Sequence, residues 1–228
     1  MSIVNIAAVA DVHSPRFLSE FKTSLSEVSM PDVFLLAGDM VTFGRASEYW
    51  HVIQAIDSQL GSGFPIFACF GNEEYSGARD VILDLTAGKV TFLDEESVIV
   101  SPGESRLGIV GAHAPIDKRD YVVVSDNIDM RKVFERRTGR LSRLLKDTSK
   151  KADHMILLMH YSPILEIDDD TNRNRFSWWI SRTIDEVAPD LVIHGHIHNP
   201  ARRIVTIGKT RAINVAFPSR REVTEIAI

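Results

Sequence analysis

Ile3-Val4-Asn5-Ile6-Ala7-Ala8-Val9-Ala10-Asp11-Val12-His13 is an apolar run that breaks off in an acid and a histidine. Leu191-Val192-Ile193-His194-Gly195-His196-Ile197-His198 repeats the device near the other end of the chain. Short runs of Ile, Val, Leu and Ala read as strands buried on both faces. Between these two stretches the unit recurs: Val33–Ala37 runs into Gly38-Asp39, Pro65–Phe70 into Gly71-Asn72, and Met155–Met159 into His160. Helical spacing separates the first three strands. Phe17, Leu18, Phe21, Leu25 and Val28 mark one helix, and Trp50, Ile53 and Ile56 mark the inner face of another over Ser47–Leu60. Strand, helix, strand, helix, strand predicts a parallel sheet with helices packed on it.

The rest of the chain changes character. Val98–Val100 and Leu107–Gly111 are short strands that suggest antiparallel or mixed pairing. A helix is predicted over Ile128–Ser149, with Val133, Phe134, Leu141, Leu144 and Leu145 on its apolar face, and another over Phe176–Ala188. The tail reads as strands at Ile204–Ile207, Arg211–Phe217 and Val223–Ile228. Gly208-Lys209-Thr210 turns between the first two, as in an antiparallel meander. The change from strand–helix units to a meander argues for a second sheet. The predicted architecture is one α/β domain over residues 1–228, a two-sheet β-sandwich flanked by helices in four layers, α/β/β/α.

Composition narrows the function. Of 228 residues, 44% are hydrophobic and 25% charged, which excludes a disordered or collagen-like chain. No apolar run approaches the length of a membrane span, and none at the start resembles a secretory signal. Cys69 is the single cysteine, so a disulfide or Cys-rich zinc site within the chain is excluded and a reducing cytoplasm is the expected compartment. The net charge of −5 argues against a protein that coats nucleic acid. From Arg131 to Lys151, however, nine Lys and Arg stand against Glu135 and Asp147. We read that face as solvated surface ahead of a phosphate-rich contact. No G-x-S-x-G, G-x-G-x-x-G or Walker loop occurs, so nucleophile-elbow, dinucleotide and P-loop chemistries lose their main support.

Ligands of open α/β sheets bind outside the carboxyl ends of the strands. Five strand ends would bring Asp11, His13, Asp39, Asn72, His160, His196 and His198 to one edge. Imidazole, carboxylate and amide oxygen together suit Mn, Fe, Co, Ni or Zn better than Ca or Mg. Seven such donors are too many for one ion with an open position and suit two, with one carboxylate shared.

With these residues in order, the sequence resembles the calcineurin-like metallophosphoesterase family, whose motifs are D-x-H, G-D, G-N-H-[E/D], a lone His and G-H-x-H. Here they stand as Asp11-Val12-His13, Gly38-Asp39, Gly71-Asn72-Glu73-Glu74, His160 and Gly195-His196-Ile197-His198. The resemblance implies the family's metallophosphoesterase-like four-layer fold and two divalent cations (Mn, Fe, Zn, Ni or Co). Asp11, His13 and His198 would hold the first cation, Asn72, His160 and His196 the second, and Asp39 would bridge them. It implies a hydrolase of small phosphomono- or phosphodiesters, in which a hydroxide shared by the cations attacks phosphorus. A nuclease, and a binding scaffold that kept the fold without turnover, are the alternatives. Nucleic acid is not the favoured partner, and no membrane partner is expected.

One position departs from the motif. Where the family has a His that protonates the leaving oxygen or holds phosphate, this chain has Glu73. A carboxylate is normally ionised at neutral pH and a poor acid. The favoured reading is that Glu73 hydrogen-bonds a nearby imidazole or amide; the other is that it is itself the acid. His113, after Leu107–Gly111, is a secondary candidate for acid or phosphate contact. The segment after His160 is polar and then aromatic. Arg173 and Arg175 there are candidate phosphate contacts, and Phe176, Trp178 or Trp179 a stacking surface, in a loop over the site; the favoured alternative is that the tryptophans are helix core and the arginines pair with Asp168, Asp169 and Asp170. The glycines before Asp39, Asn72 and His196 are expected to let the backbone turn sharply.

Overall fold

The computed structural model describes residues 3–112, 130–164 and 173–228. In chain order the elements are β1 (Asn5–Val9), α1 (Leu18–Leu25), β2 (Val33–Ala37), α2 (Ala46–Leu60), β3 (Ile66–Cys69), α3 (Ser76–Thr86), β4 (Val90–Phe92), β5 (Ser97–Val100) and β6 (Leu107–Gly111). Then come α4 (Met130–Ser149), β7 (His154–Leu158), α5 (Arg173–Val187), β8 (Leu191–His194), β9 (Ile204–Ile207), β10 (Thr210–Asn214), α6 (Phe217–Arg220) and β11 (Thr224–Ala227).

Two mixed sheets result. One has the order β11-β1-β2-β3-β4 and the other β5-β6-β7-β8-β10-β9. β1 to β4 are parallel, as are β6, β7, β8 and β10, and each parallel block carries antiparallel strands only at its edges.

Alternation along each strand explains the layers. In β1 and β2, Ala7, Val9, Phe34 and Leu36 face out and pack with Phe21 and Leu25 of α1 and Tyr49, Ile53 and Ile56 of α2. Their neighbours Ile6, Ala8, Val33 and Leu35 face in and meet Leu107, Ile109, Ile156, Leu158 and Ile193 of the other sheet. Beyond that sheet, Val110, Met155, Leu157 and Val192 pack against Leu141 and Leu145 of α4 and Ile180 and Ile184 of α5. Strands apolar on both faces are thus required by a sheet covered on both sides. The order helix, sheet, sheet, helix is the expected four-layer sandwich.

Four local expectations are corrected. The tail is not a meander within one sheet: β9 and β10 pair antiparallel, but β11 crosses to the other sheet and pairs with β1. The strand expected to reach Phe217 stops at Asn214, and Phe217 opens a short helix with Pro218 in its first turn. α3 and β4 were not foreseen. Only Ile82 and Thr86 of α3 are buried, while Val81, Leu83 and Leu85 are exposed, so the helix shows no clean apolar period. α5 begins at Arg173, inside the segment read as a loop.

Among the described residues no helix is long and apolar enough to cross a membrane.

Candidate metal centre

All seven strand-end residues lie beyond the carboxyl ends of their strands, and the described residues draw them into two groups. Asp11, His13 and His198 form one; Asp39, His160 and His196 form the other, each with its ligand atoms within 4.8 Å of one another. In the first, His13 Nε2 lies 3.1 Å from His198 Nε2, and Asp11 Oδ1 lies 3.2 Å from His198 Nε2 and 3.7 Å from His13 Nε2. In the second, His160 Nε2 lies 3.1 Å from Asn72 Oδ1 and 3.4 Å from Asp39 Oδ2.

Donor chemistry decides what the second group fits. His160 Nδ1–H donates to the carbonyl of Ala37 at 2.9 Å, which fixes the tautomer and leaves Nε2 as a bare lone pair. That lone pair faces an amide oxygen and a carboxylate oxygen. Three acceptors converging without a donor need a cation or a proton between them. The titration tendencies agree. Burial lowers His160's proton affinity, but the Asp39 carboxylate outweighs it and holds the imidazole well above its ordinary value. His13 moves the other way: burial, only partly opposed by Asp39 and Asp11, lowers its pKa and keeps it in the neutral form a metal needs. Asp39 therefore acts electrostatically on an imidazole of each group.

Backbone strain is concentrated here. Asp11, His13, Asp39 and His196 have φ of 59°, 46°, 54° and 71°, although none is glycine. The sharp turns are made by the candidate ligands themselves, which corrects the role expected of the glycines. Of the three, only Gly38 has positive φ, 83°. Gly71 and Gly195 are needed for space. A Cβ on Gly71 would collide with the amide and carboxylate of Asp39, and one on Gly195 with Ala10 and the Asp11 carboxylate.

Three residues without an assigned role in holding the backbone secure these turns. Glu74 is fully buried, and its carboxylate accepts four backbone amides: Asp39 N at 2.8 Å and Gly71 N at 2.7 Å on Oε2, Met40 N at 2.6 Å and Val41 N at 3.3 Å on Oε1. Burial and the charge of Asp39 push its proton affinity above the ordinary carboxylate range, and the amides pull it back. Asn214 accepts from Ala216 N at 2.9 Å and donates Nδ2–H to Ile197 O at 3.0 Å, bracing the segment between His196 and His198. Asp11 Oδ2 accepts His196 N at 2.8 Å and so ties the first strand end to the last. Glu74 was visible in its motif, but no sequence signal told that it would be buried. Asn214 carried no signal.

The remaining candidates fall as follows. Glu73 N donates to Asp39 Oδ1 at 2.7 Å, and its carboxylate accepts Phe43 N at 2.7 Å. His113 lies outside the described residues, as do the side chains of Arg173, Arg175, Phe176, Trp178 and Trp179. His194 is buried, and its Nδ1–H donates to Gly195 O at 3.2 Å. His154 opens β7. Cys69 is buried in β3, where burial holds the thiol protonated.

The model of the calcineurin-like phosphoesterases matches residues 4–200. The chain belongs to the calcineurin-like phosphoesterase family. Solved structures share the fold of this calcineurin-like phosphoesterase at low identity. The protein TT1561 of Thermus thermophilus superposes with a TM-score of 0.64 at 12% identity, over 99% of each chain. A dimetal phosphatase from Danio rerio gives 0.57 at 12%, over 92% of this chain and 86% of that one. Purple acid phosphatase PPD1 from yellow lupin (Lupinus luteus) seeds gives 0.61 at 12%, over 98% of this chain but 45% of its own. No curated protein matches in sequence.

Proposed function

We propose that the protein hydrolyses small phosphoesters with two divalent cations held side by side, Asp39 shared between them. The observation that carries this reading is the second cluster, where Nε2 of the neutral His160 imidazole, Asn72 Oδ1 and Asp39 Oδ2 converge as three acceptors, next to a first cluster that Asp39 also influences. Two cations there would neutralise phosphoryl oxygens and lower the pKa of a water that attacks phosphorus.

The chain's own groups do the rest. Asp11, His13 and His198 would take the first cation, and Asn72, His160 and His196 the second. Ala37 O holds the His160 ring in its binding tautomer, and Glu74 aims the Asp39 and Asn72 segments. Glu73, engaged with the Phe43 amide, acts as an anchor rather than as a proton donor. The leaving oxygen therefore departs with little proton assistance, and the rate should depend steeply on its acidity. The basic face of α4 gives a nuclease reading less support, because Arg140 is paired with Glu95 at 3.1 Å and Lys150 with Asp147 at 2.8 Å.

The test is turnover of nitrophenyl mono- and diesters after loading with Mn, Fe, Co, Ni or Zn, with single-stranded DNA in parallel. Activity on the small esters, lost in Asp39→Asn, supports the reading. Turnover unchanged by Asp39→Asn, or cleavage confined to DNA, overturns it.

A further inference from the structure

Phe43 lies between Asp39 and α2, and the residue is 66% exposed. Its φ is 54°, and Gly44 follows at 65°. A bulky side chain at positive φ is a genuine outlier. The conformation serves no core packing, because the ring buries little against the folded chain.

The segments that carry the candidate metal ligands hold it in place. Glu73 Oε2 accepts the Phe43 amide at 2.7 Å, and the Glu73 carbonyl accepts the Gly44 amide at 2.9 Å. The Glu73 amide in turn donates to Asp39 Oδ1 at 2.7 Å. On the other side, Thr42 donates its amide to Ser14 O at 3.2 Å and its hydroxyl to His13 O at 3.0 Å. Phe43 is thus fixed between the Asp39 and His13 turns. Strain of this kind persists where the surroundings over-determine it, and it gathers at ligand clamps.

We infer that Phe43 is a specificity contact for the leaving group, an exposed aromatic face that packs on phosphoesters of aromatic alcohols, with Glu73 as the positioning residue that presents it. The inference rests on the phosphoesterase reading and names its substrate class. Two observations meet on that class. An exposed aromatic ring, carried on a backbone fixed beside the Asp39 and His13 turns, selects a flat apolar partner. The carboxylate at the motif's acid position is engaged with an amide, which favours leaving groups stable as anions, and phenolates are such groups. In the step, water gives up a proton to solvent as its oxygen bonds to phosphorus, the bond from phosphorus to the aryl oxygen breaks, and the electron pair leaves on the phenolate, which takes its proton from solvent.

The experiment compares wild type, Phe43→Ala and Phe43→Trp, all loaded with Mn. Calorimetry measures binding of phenylphosphonate and methylphosphonate, and kcat/KM is measured for aryl and alkyl phosphoesters of matched leaving-group acidity. Phe43→Ala should weaken phenylphosphonate roughly tenfold, the scale of an aromatic contact together with burial of a ring face. Methylphosphonate should stay within about twofold, Phe43→Trp should keep the preference, and kcat/KM should fall on the aryl ester alone. Equal loss on both phosphonates, or none on either, overturns the assignment. Discriminating binding without turnover of any ester would refute the phosphoesterase reading and leave the aromatic contact standing.

Discussion

Glu74→Gln is the substitution that most directly asks how the site is held. The change is isosteric and replaces no proposed cation ligand. The carboxylate receives two amides on each oxygen, Asp39 and Gly71 on one, Met40 and Val41 on the other. A carboxamide keeps one acceptor oxygen and puts an NH2 group where the other was. Whichever way it is turned, two buried N–H groups then face a donor. An unsatisfied buried donor costs about 1–3 kcal/mol, so the gross loss is roughly 2–6 kcal/mol. Removing a negative charge beside Asp39 returns part of this, which leaves an expected net loss of about 2–4 kcal/mol. In a chain of this length that corresponds to a fall in Tm of roughly 4–16 °C.

The loss should be uneven in function. Glu74 grips the turns that carry Asp39 and Asn72, whereas Asp11, His13 and His198 are held by other contacts. Calorimetric titration with Mn should show the second cation weakened at least about tenfold and the first, which depends on this turn through Asp39 alone, weakened less. Thermal unfolding in chelator measures the stability term separately. Unfolding within about 0.5 kcal/mol of wild type, with both cations bound as before, would refute the claim that this buried carboxylate organises the site.

Metal analysis of protein reconstituted with Mn or Zn should approach two ions per chain, and Asn72→Ala should bring it to one; one ion in both proteins would end the dinuclear reading. Gly71→Ala should lower stability by roughly 1–3 kcal/mol and cost metal, because its Cβ would strike Asp39, whereas Gly77→Ala, in open space on α3, should gain up to about 1 kcal/mol; urea unfolding of the two variants separates them. His194 is held neutral by burial, its pKa lowered from 6.5 to about 4. Its contribution is full above the unfolded value and is lost as pH falls toward the folded one. Metal-free wild type should therefore shed about 3 kcal/mol more than His194→Gln between pH 6.5 and pH 4, as read by denaturant titration across that range.

What the sequence made legible was whatever had a period or a position. Strands apolar on both faces announced a doubly covered sheet, and the residue at each strand end announced the edge where chemistry sits. Partners that depend on long-range geometry were not legible. β11 has the same local pattern whether it continues a meander or crosses to β1, and only packing against Asn5–Ala8 decides the matter. Glu74 and Glu73 are adjacent identical residues, yet one is fully buried beneath four amides and the other holds a surface turn. Nothing in a one-dimensional pattern separates them. The turn-making role expected of the glycines holds only at Gly38: at Gly71 and Gly195 the missing Cβ makes room for a carboxylate instead of permitting a turn.

The same geometry explains why strain and charge gather at this edge. A left-handed backbone costs a non-glycine residue roughly 1–2 kcal/mol, and Asp11, His13, Asp39 and His196 all adopt it. Regular continuation of the strands would carry these side chains away from one another. The positive φ bends these four candidate ligands back across their strand ends, where carboxylate, amide and imidazole groups face each other at 3.1–3.7 Å. Such an arrangement repels itself unless something positive is placed within it. The Asp11 link to His196, the Asn214 brace and the Glu74 amides fix the turns before any cation arrives. Cation binding then adds stability to the folded state alone, about 2.7 kcal/mol for each site at roughly a hundred times its Kd. Pre-formed repulsion and affinity for a cation are thus two descriptions of one arrangement, and the buried carboxylate beneath Asp39 is what keeps it from relaxing.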